Sequence, residues 1–245
     1  MSPARILIVT AVTAERDAVV AGLERNGPST DTGTGTDTEV NADTELHADT
    51  ELHADTEVIA AGAGPAAAAA GTATALTSAA SAGAPFTLVV SAGIAGGFEQ
   101  PPGTVVVASS IVAADLGADT SEGFASVADL GFGRAEHRPP PALARDVAEA
   151  AGAVYGPVLT VSTVTGTAAR ARELASRHPG AVAEAMEGFG VAEAAALHGV
   201  PALEMRTVSN SVGPRDRAAW RIPQALAALG TGCAAALPVL RAWEA

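Results

Sequence analysis

The sequence predicts a single α/β domain of three layers around a mixed, mostly parallel central sheet. Short apolar runs, among them Arg5–Thr10, Phe86–Ser91 and Val158–Val161, read as buried strands. Helical patterns separate these runs, so strand and helix alternate along the chain. The helical segments are rich in alanine and glycine, which lets them lie close to the sheet. A chain of 245 residues is long enough for one large core, and only Ser29–Glu57 departs from the pattern.

The formal net charge of -13 and the lack of a Lys/Arg cluster argue against a nucleic-acid backbone as partner. The one cysteine, Cys233, excludes an internal disulfide and reads as a small buried hydrophobe in a reducing compartment. The start MSPARILIVTAV runs straight into a strand without a leader pattern, and the alanine-rich stretches are cut by Gly, Pro, Thr or charge. These features lead to the expectation of a cytoplasmic protein without a membrane span.

Strand Arg5–Thr10 is followed by a helix over Thr13–Asn26, with Val19, Val20 and Leu23 as core candidates and Gly27-Pro28 as its stop. Glu15 falls in the first turn of that helix. It reads either as a solvent-facing acid favoured by the helix N-terminus or as a carboxylate at the sheet mouth able to deprotonate a water. Pro65 starts a small-residue helix in which Leu76 is the one large aliphatic side chain. Strand Phe86–Ser91 then leads into a glycine-rich turn, Ser91–Gly97, which either permits close strand–helix approach or forms a pocket wall.

Strands at Gly103–Ala108 and Ser110–Ala114 precede an irregular loop over Asp115–Arg138 that carries Phe124 and Phe132. Such a loop could cover a ligand or reach an oligomer partner. Helices follow at Pro141–Ala151 and from Gly166-Thr167 to Arg177, the second after the hydroxyl-rich strand end of Thr160, Ser162, Thr163 and Thr165. His137, His178 and His198 read as loop or cap residues. Two C-terminal helices, about Pro223–Leu229 and Cys233–Ala242, are expected to cover the sheet.

Within Ser29–Glu57, ADTELH occurs at 42–47 and 48–53 and is followed by ADTEVI. An even repeat preserves strand alternation, so Asp, Glu and His fall on one face of a strand or hairpin arm. Along an extended strand His47 and His53 stand roughly 20 Å apart, too far to share a metal ion without a fold-back.

The stretch Ala181–Asn210 reads as strand end, helix and second strand. Met186 and Glu187 sit at the first junction, and Arg206, Ser209 and Asn210 at the end of the second strand. Ligands bind at the carboxyl ends of strands in such sheets, so the two loops can face one pocket.

Five segments, ILIVTAVTAERDAV, VIAAGAGPAAAA, VVSAGIAGGF, EAMEGFGVAEAAALHGVP and RTVSNSVGPRD, together resemble the nucleoside phosphorylase/hydrolase superfamily. SNSVGPRD and the form of the N-terminal motif are most similar to its futalosine hydrolases. The resemblance covers nearly all of the chain except Ser29–Glu57. It implies a homo-oligomeric cytoplasmic enzyme of the alternative menaquinone pathway, needing neither cofactor nor metal. Its substrate would be a purine nucleoside, futalosine, from which hypoxanthine is released. The resemblance also implies roles: Glu15 activates water, Met186 lies against ribose, Glu187 binds the sugar hydroxyls and Arg206 lies near the attacking water. Asn210 and Ser209 fall in the purine-reading segment, and Gly96 and Gly97 beside base and sugar. Methylthioadenosine nucleosidases carry a contiguous Glu-Met-Glu, whereas Ala185 stands here at the first position, with Glu184 one residue earlier. They also carry Asp where Asn210 stands.

That last difference has chemical content. An amide can donate to O6 and accept from a protonated N7, which suits a 6-oxopurine such as hypoxanthine. Ala11–Glu15 supplies no cationic donor for phosphate, which favours water as nucleophile. The alternatives are a methylthioadenosine-type nucleosidase, a purine nucleoside phosphorylase and a non-catalytic nucleoside-binding protein on the same fold.

Overall fold

The computed structural model describes residues 4–25, 50–53 and 55–244. Its centre is β1 (Ile6–Thr10), buried along its whole length. Ile6 and Ile8 pack with Val19 and Leu23 of α1 (Thr13–Arg25), whereas Leu7 and Val9 pack with Ala68 and Leu76 of α2 (Pro65–Ser81). Alternate side chains of an apolar strand thus enter two separate cores, one on each side of the sheet.

β1 lies between two parallel neighbours, β3 (Thr56–Ala60) and β4 (Leu88–Gly97), and β2 (Thr50–His53) pairs antiparallel with β3 at the sheet edge. On the other side β4 pairs parallel with β11 (Ala202–Ser211), which runs antiparallel to β5 (Val105–Ala113). β9 (Val154–Thr160) is parallel to both β5 and β10 (Ala183–Ala185). β10 then pairs antiparallel with β4 at Gly96 and Gly97, so five strands close on themselves. This closure brings the 183–187 junction to the end of β4.

The helices divide between the two faces. α3 (Pro141–Ala150) and α6 (Ile222–Ala242) share the core of α1 through Leu143, Val147, Leu229 and Leu237, while α5 (Gly188–Leu197) joins α2 through Val191 and Ala195. α4 (Ala168–Arg177) packs Leu174 against Leu159 and Val161. Thr167 caps it, its hydroxyl accepting from the Arg170 N–H. The small-residue character has the expected use: a side chain at Gly22 of α1 would run into the Gly230 backbone of α6.

Several expectations are corrected. Ser91–Gly97 is not a turn but the continuation of β4. β5 runs unbroken through Ser109 and Ser110, where the interruption is a register shift against β9. The 115–138 segment contains an antiparallel hairpin of β6 (Gly117–Thr120) and β7 (Gly123–Ser126), and β8 (Glu136–His137) pairs with β5. His137 is therefore a strand residue, its ring against Phe189 and Glu193, whereas His178 and His198 do cap helices.

The C-terminal region is one helix. It continues through Gly230 and Gly232, glycines that serve close packing, since a side chain at either would crowd α1 or β5. α6 is also long and apolar enough to cross a membrane, contrary to expectation, yet half of its most apolar stretch is buried in this fold. β2 and β3 pair antiparallel, which is the hairpin form of the expected arm and not a continuous strand. His47 and the rest of 26–49 lie outside the described residues.

Candidate active site

Glu15 stands in the first turn of α1, just past the end of β1, and is only 4% exposed. The solvent-facing reading is thereby corrected: β4 lies against the carboxylate. Its Oε2 accepts from the N–H groups of Ala11 (3.0 Å) and Val12 (3.3 Å), and its Oε1 from the N–H of Ile94 (2.9 Å). Burial pushes the Glu15 pKa up, and the Arg206 guanidinium and backbone donors oppose that rise.

Glu187 closes the junction between β10 and α5. Its Oε1 accepts from the Gly64 N–H (3.1 Å) and its Oε2 from Arg206 Nη1 (3.1 Å). Arg206 is fully buried on β11. Its Nε donates to Glu204 Oε1 (2.8 Å) and its Nη2 to Ser91 Oγ (3.0 Å), so all three nitrogens have partners. Glu15, Glu187 and Glu204 raise the Arg206 pKa against the opposing effect of burial, and the guanidinium stays charged. Gly93 provides the close approach: a Cβ there would stand 2.6 Å from Arg206 Nη1 and 2.8 Å from Glu15 Oε1.

Glu204 is the residue that sequence reasoning missed. It is fully buried, one oxygen binds Arg206, and Oε2 has no hydrogen-bond partner. Burial drives its pKa up. The signal was available: in the strand ALEMRTVS, Glu204 and Arg206 are two apart and share a face, so an otherwise apolar strand carries an internal ion pair.

A second group lies farther along β4. The register of β11 against β4 shifts between Val208 and Asn210, which turns Asn210 toward a cleft. Its Oδ1 is 2.7 Å from Ser209 Oγ and its Nδ2 donates to Ser211 O (3.0 Å). Gly96, Thr165, Glu184, Asn210, Val212 and Trp220 help line this cleft of about 450 Å³, a volume that includes space open to solvent. Gly97, expected beside base and sugar, lies outside this lining, and a Cβ there would meet Gln100 O at 2.6 Å and Val208 Cγ1 at 2.8 Å. Met186 is partly buried beside Glu187. Gly93 and Gly96 are three residues apart on one strand, about 10 Å, which sets the span from acid cluster to cleft. Among the described residues no group of three His, Cys, Asp or Glu side chains is arranged to hold a metal ion.

The site therefore offers two chemistries along β4: carboxylates able to hold water and hydroxyl groups, and an amide beside a cleft. Residues 5–237 match the Phosphorylase superfamily. The futalosine hydrolase of Streptomyces coelicolor is 58% identical over 241 residues, covering 98% of this chain and 97% of its own. The chain belongs to the futalosine hydrolase family. A second member, from Acidothermus cellulolyticus, is 42% identical over 90% of this chain and 85% of its own.

Among solved structures, the methylthioadenosine/S-adenosylhomocysteine nucleosidase of Colwellia psychrerythraea, in complex with adenine, has a TM-score of 0.75 at 20% identity. The alignment covers 98% of this chain and 97% of that one. The corresponding nucleosidase of Neisseria meningitidis has a TM-score of 0.70 at 18% identity, covering 95% and 98%. These two establish a common fold.

Proposed function

We propose that this chain hydrolyses the N-glycosidic bond of futalosine, releasing hypoxanthine and dehypoxanthine futalosine, and that the reaction serves menaquinone biosynthesis. The observation that carries the mechanism is the meeting of Glu15 and Glu187 around Arg206 at the Gly93 step of β4. Bond cleavage leaves positive charge on the ribosyl ring and negative charge on the departing purine. Glu15 takes a proton from the water whose oxygen bonds to the anomeric carbon as the bond to the base breaks. Glu187 holds the sugar hydroxyls, and Met186 packs against the ribose.

Arg206 acts through the carboxylates it orients rather than on the water itself, since its nitrogens are engaged and it is buried. Asn210 reads the base. Ser209 fixes its carbonyl, and after the Ser211 contact one N–H remains to reach O6, while a free lone pair on Oδ1 can accept from N7 once the departing base has taken a proton there from solvent water. Ser209 and Gly96 complete the base side of the site.

Water is favoured over phosphate because the one guanidinium of the cluster is surrounded by Glu15, Glu187 and Glu204. A phosphate dianion placed there would meet like charge at short range. Incubation with futalosine, inosine, aminodeoxyfutalosine and methylthioadenosine, with and without phosphate, tests the reading. Hypoxanthine released from futalosine independently of phosphate is the expected product. A phosphate-dependent sugar phosphate, or faster cleavage of methylthioadenosine, would overturn it.

The same reading takes the chain as one catalytic domain with an acidic insertion at 29–57. A folded variant shortened across 30–49 is expected to retain turnover, and its inactivity would contradict that division. It also takes the enzyme as a homodimer or larger assembly. Phe132, 81% exposed beyond the β6–β7 hairpin, supports an interface there, and a monomer mass in light scattering would rule this out.

A further inference from the structure

β10, β4 and β11 place Glu184, Gly96 and Asn210 side by side on one rung of the sheet, since Gly96 is the register partner of both other residues. At about 4.8 Å between strands, the Cα atoms of Glu184 and Asn210 are about 10 Å apart, with a glycine on the strand between them. Both residues line the same cleft. Glu184 is 6% exposed, and its oxygens accept from the Thr165 N–H (2.8 Å) and the Thr165 hydroxyl (2.6 Å). Each carboxylate oxygen has two lone pairs, so one remains on each after these bonds.

We propose that Glu184 is a second specificity-determining residue, which accepts a hydrogen bond from N1–H of a 6-oxopurine while Asn210 engages its O6 and N7. This rests on the hydrolase reading above and extends it to the adjoining N1 edge of the base. A 6-oxopurine carries a proton on N1, which an ionised carboxylate accepts. A 6-aminopurine presents a lone pair at N1, and a carboxylate facing it leaves two acceptors buried against one another. Burial pushes the Glu184 pKa up, and the two donors of Thr165, which hold the carboxylate in place, oppose that rise. Glycine is needed at the middle of the rung because Val212 packs over it: a Cβ on Gly96 would stand 2.9 Å from Val212 Cγ2 and 3.6 Å from Asn210 Nδ2, and the base would lie in the cleft beyond, which these residues line with Glu184.

The test compares kcat/KM for futalosine and its 6-amino counterpart in wild type, Glu184→Gln and Glu184→Val, and measures inhibition of the wild type by hypoxanthine and 1-methylhypoxanthine. The futalosine preference is expected to fall about tenfold to a hundredfold in both variants, the loss of one matched buried hydrogen bond. Hypoxanthine is expected to bind the wild type at least about tenfold more tightly than the N1-methylated base. Equal slowing of both substrates would reduce Glu184 to an anchor for Thr165 and overturn the proposal. If the variants do not fold, equal inhibition of the wild type by the two bases overturns it instead. A wild type that leaves futalosine intact sinks the hydrolase reading, whereas the free-base comparison still judges Glu184.

Discussion

The carboxylate of Glu15 on α1 accepts a hydrogen bond from the Ile94 N–H on β4, 2.9 Å away and 79 residues later in the chain. With the donors of Ala11 and Val12, this bond fixes a buried carboxylate next to a second one, Glu187, which Arg206 holds. Glu15→Gln keeps the shape but cannot take a proton from water. Turnover is expected to fall by about 10²–10⁴-fold with substrate affinity largely kept. Single-turnover kinetics beside equilibrium binding would show it, and near-normal turnover would remove Glu15 from the mechanism.

The pH profile should report the same group. Burial raises the Glu15 pKa above the ordinary glutamate value of 4.5, and Glu15 must be ionised to act as a base. Activity is therefore expected to fall with decreasing pH through a midpoint above that ordinary value. Stability has the opposite sign. The folded state takes up the proton before the unfolded chain does, so the contribution to folding is present at low pH and lost as pH rises through the folded pKa. Thermal melts across this window should show the Tm difference shifting in favour of Glu15→Ala as pH increases.

Arg206→Met removes the one cation among three buried carboxylates. A cost of about 3–5 kcal/mol is expected, since uncompensated buried charge remains. Gly93→Ala acts at the same place by volume, its methyl pressing on Arg206 Nη1 and Glu15 Oε1. A cost of about 1–3 kcal/mol from overpacking, together with reduced kcat, is the expected outcome. Denaturant melts and kinetics on both variants would check this, and a Gly93→Ala enzyme of wild-type rate would show that the cluster tolerates displacement.

Asn210→Asp removes the N–H that reaches O6, while a protonated carboxyl could serve N7 and accept from a 6-amino group. The futalosine preference should drop by about 1–3 kcal/mol, one to two decades in the kcat/KM ratio. An unchanged ratio would place the reading of the base elsewhere.

Much of this site is legible in the chain itself. The apolar runs at 6–10 and 202–209 declare strands, Glu15 falls at a helix start by position alone, and Asn210 rather than Asp is a matter of composition. These features depend on neighbours within a few residues, where periodicity and helix signals operate. Burial of Glu15 does not. It requires β4 to pass over α1, and whether Ser91–Gly97 extends or turns depends on pairing with β1, β10 and β11, partners that glycine content does not reveal. Glu204 and Arg206 were visible as a charge pair two residues apart in an apolar strand, but only the approach of β11 to the 187 junction brings Glu187 to that pair. Likewise Glu184 and Asn210 are 26 residues apart in sequence and become neighbours because a closed sheet sets them on one rung with Gly96 between. Local sequence dictates element type through backbone and side-chain preferences. Register and closure, which depend on packing between distant segments, decide which charged groups meet.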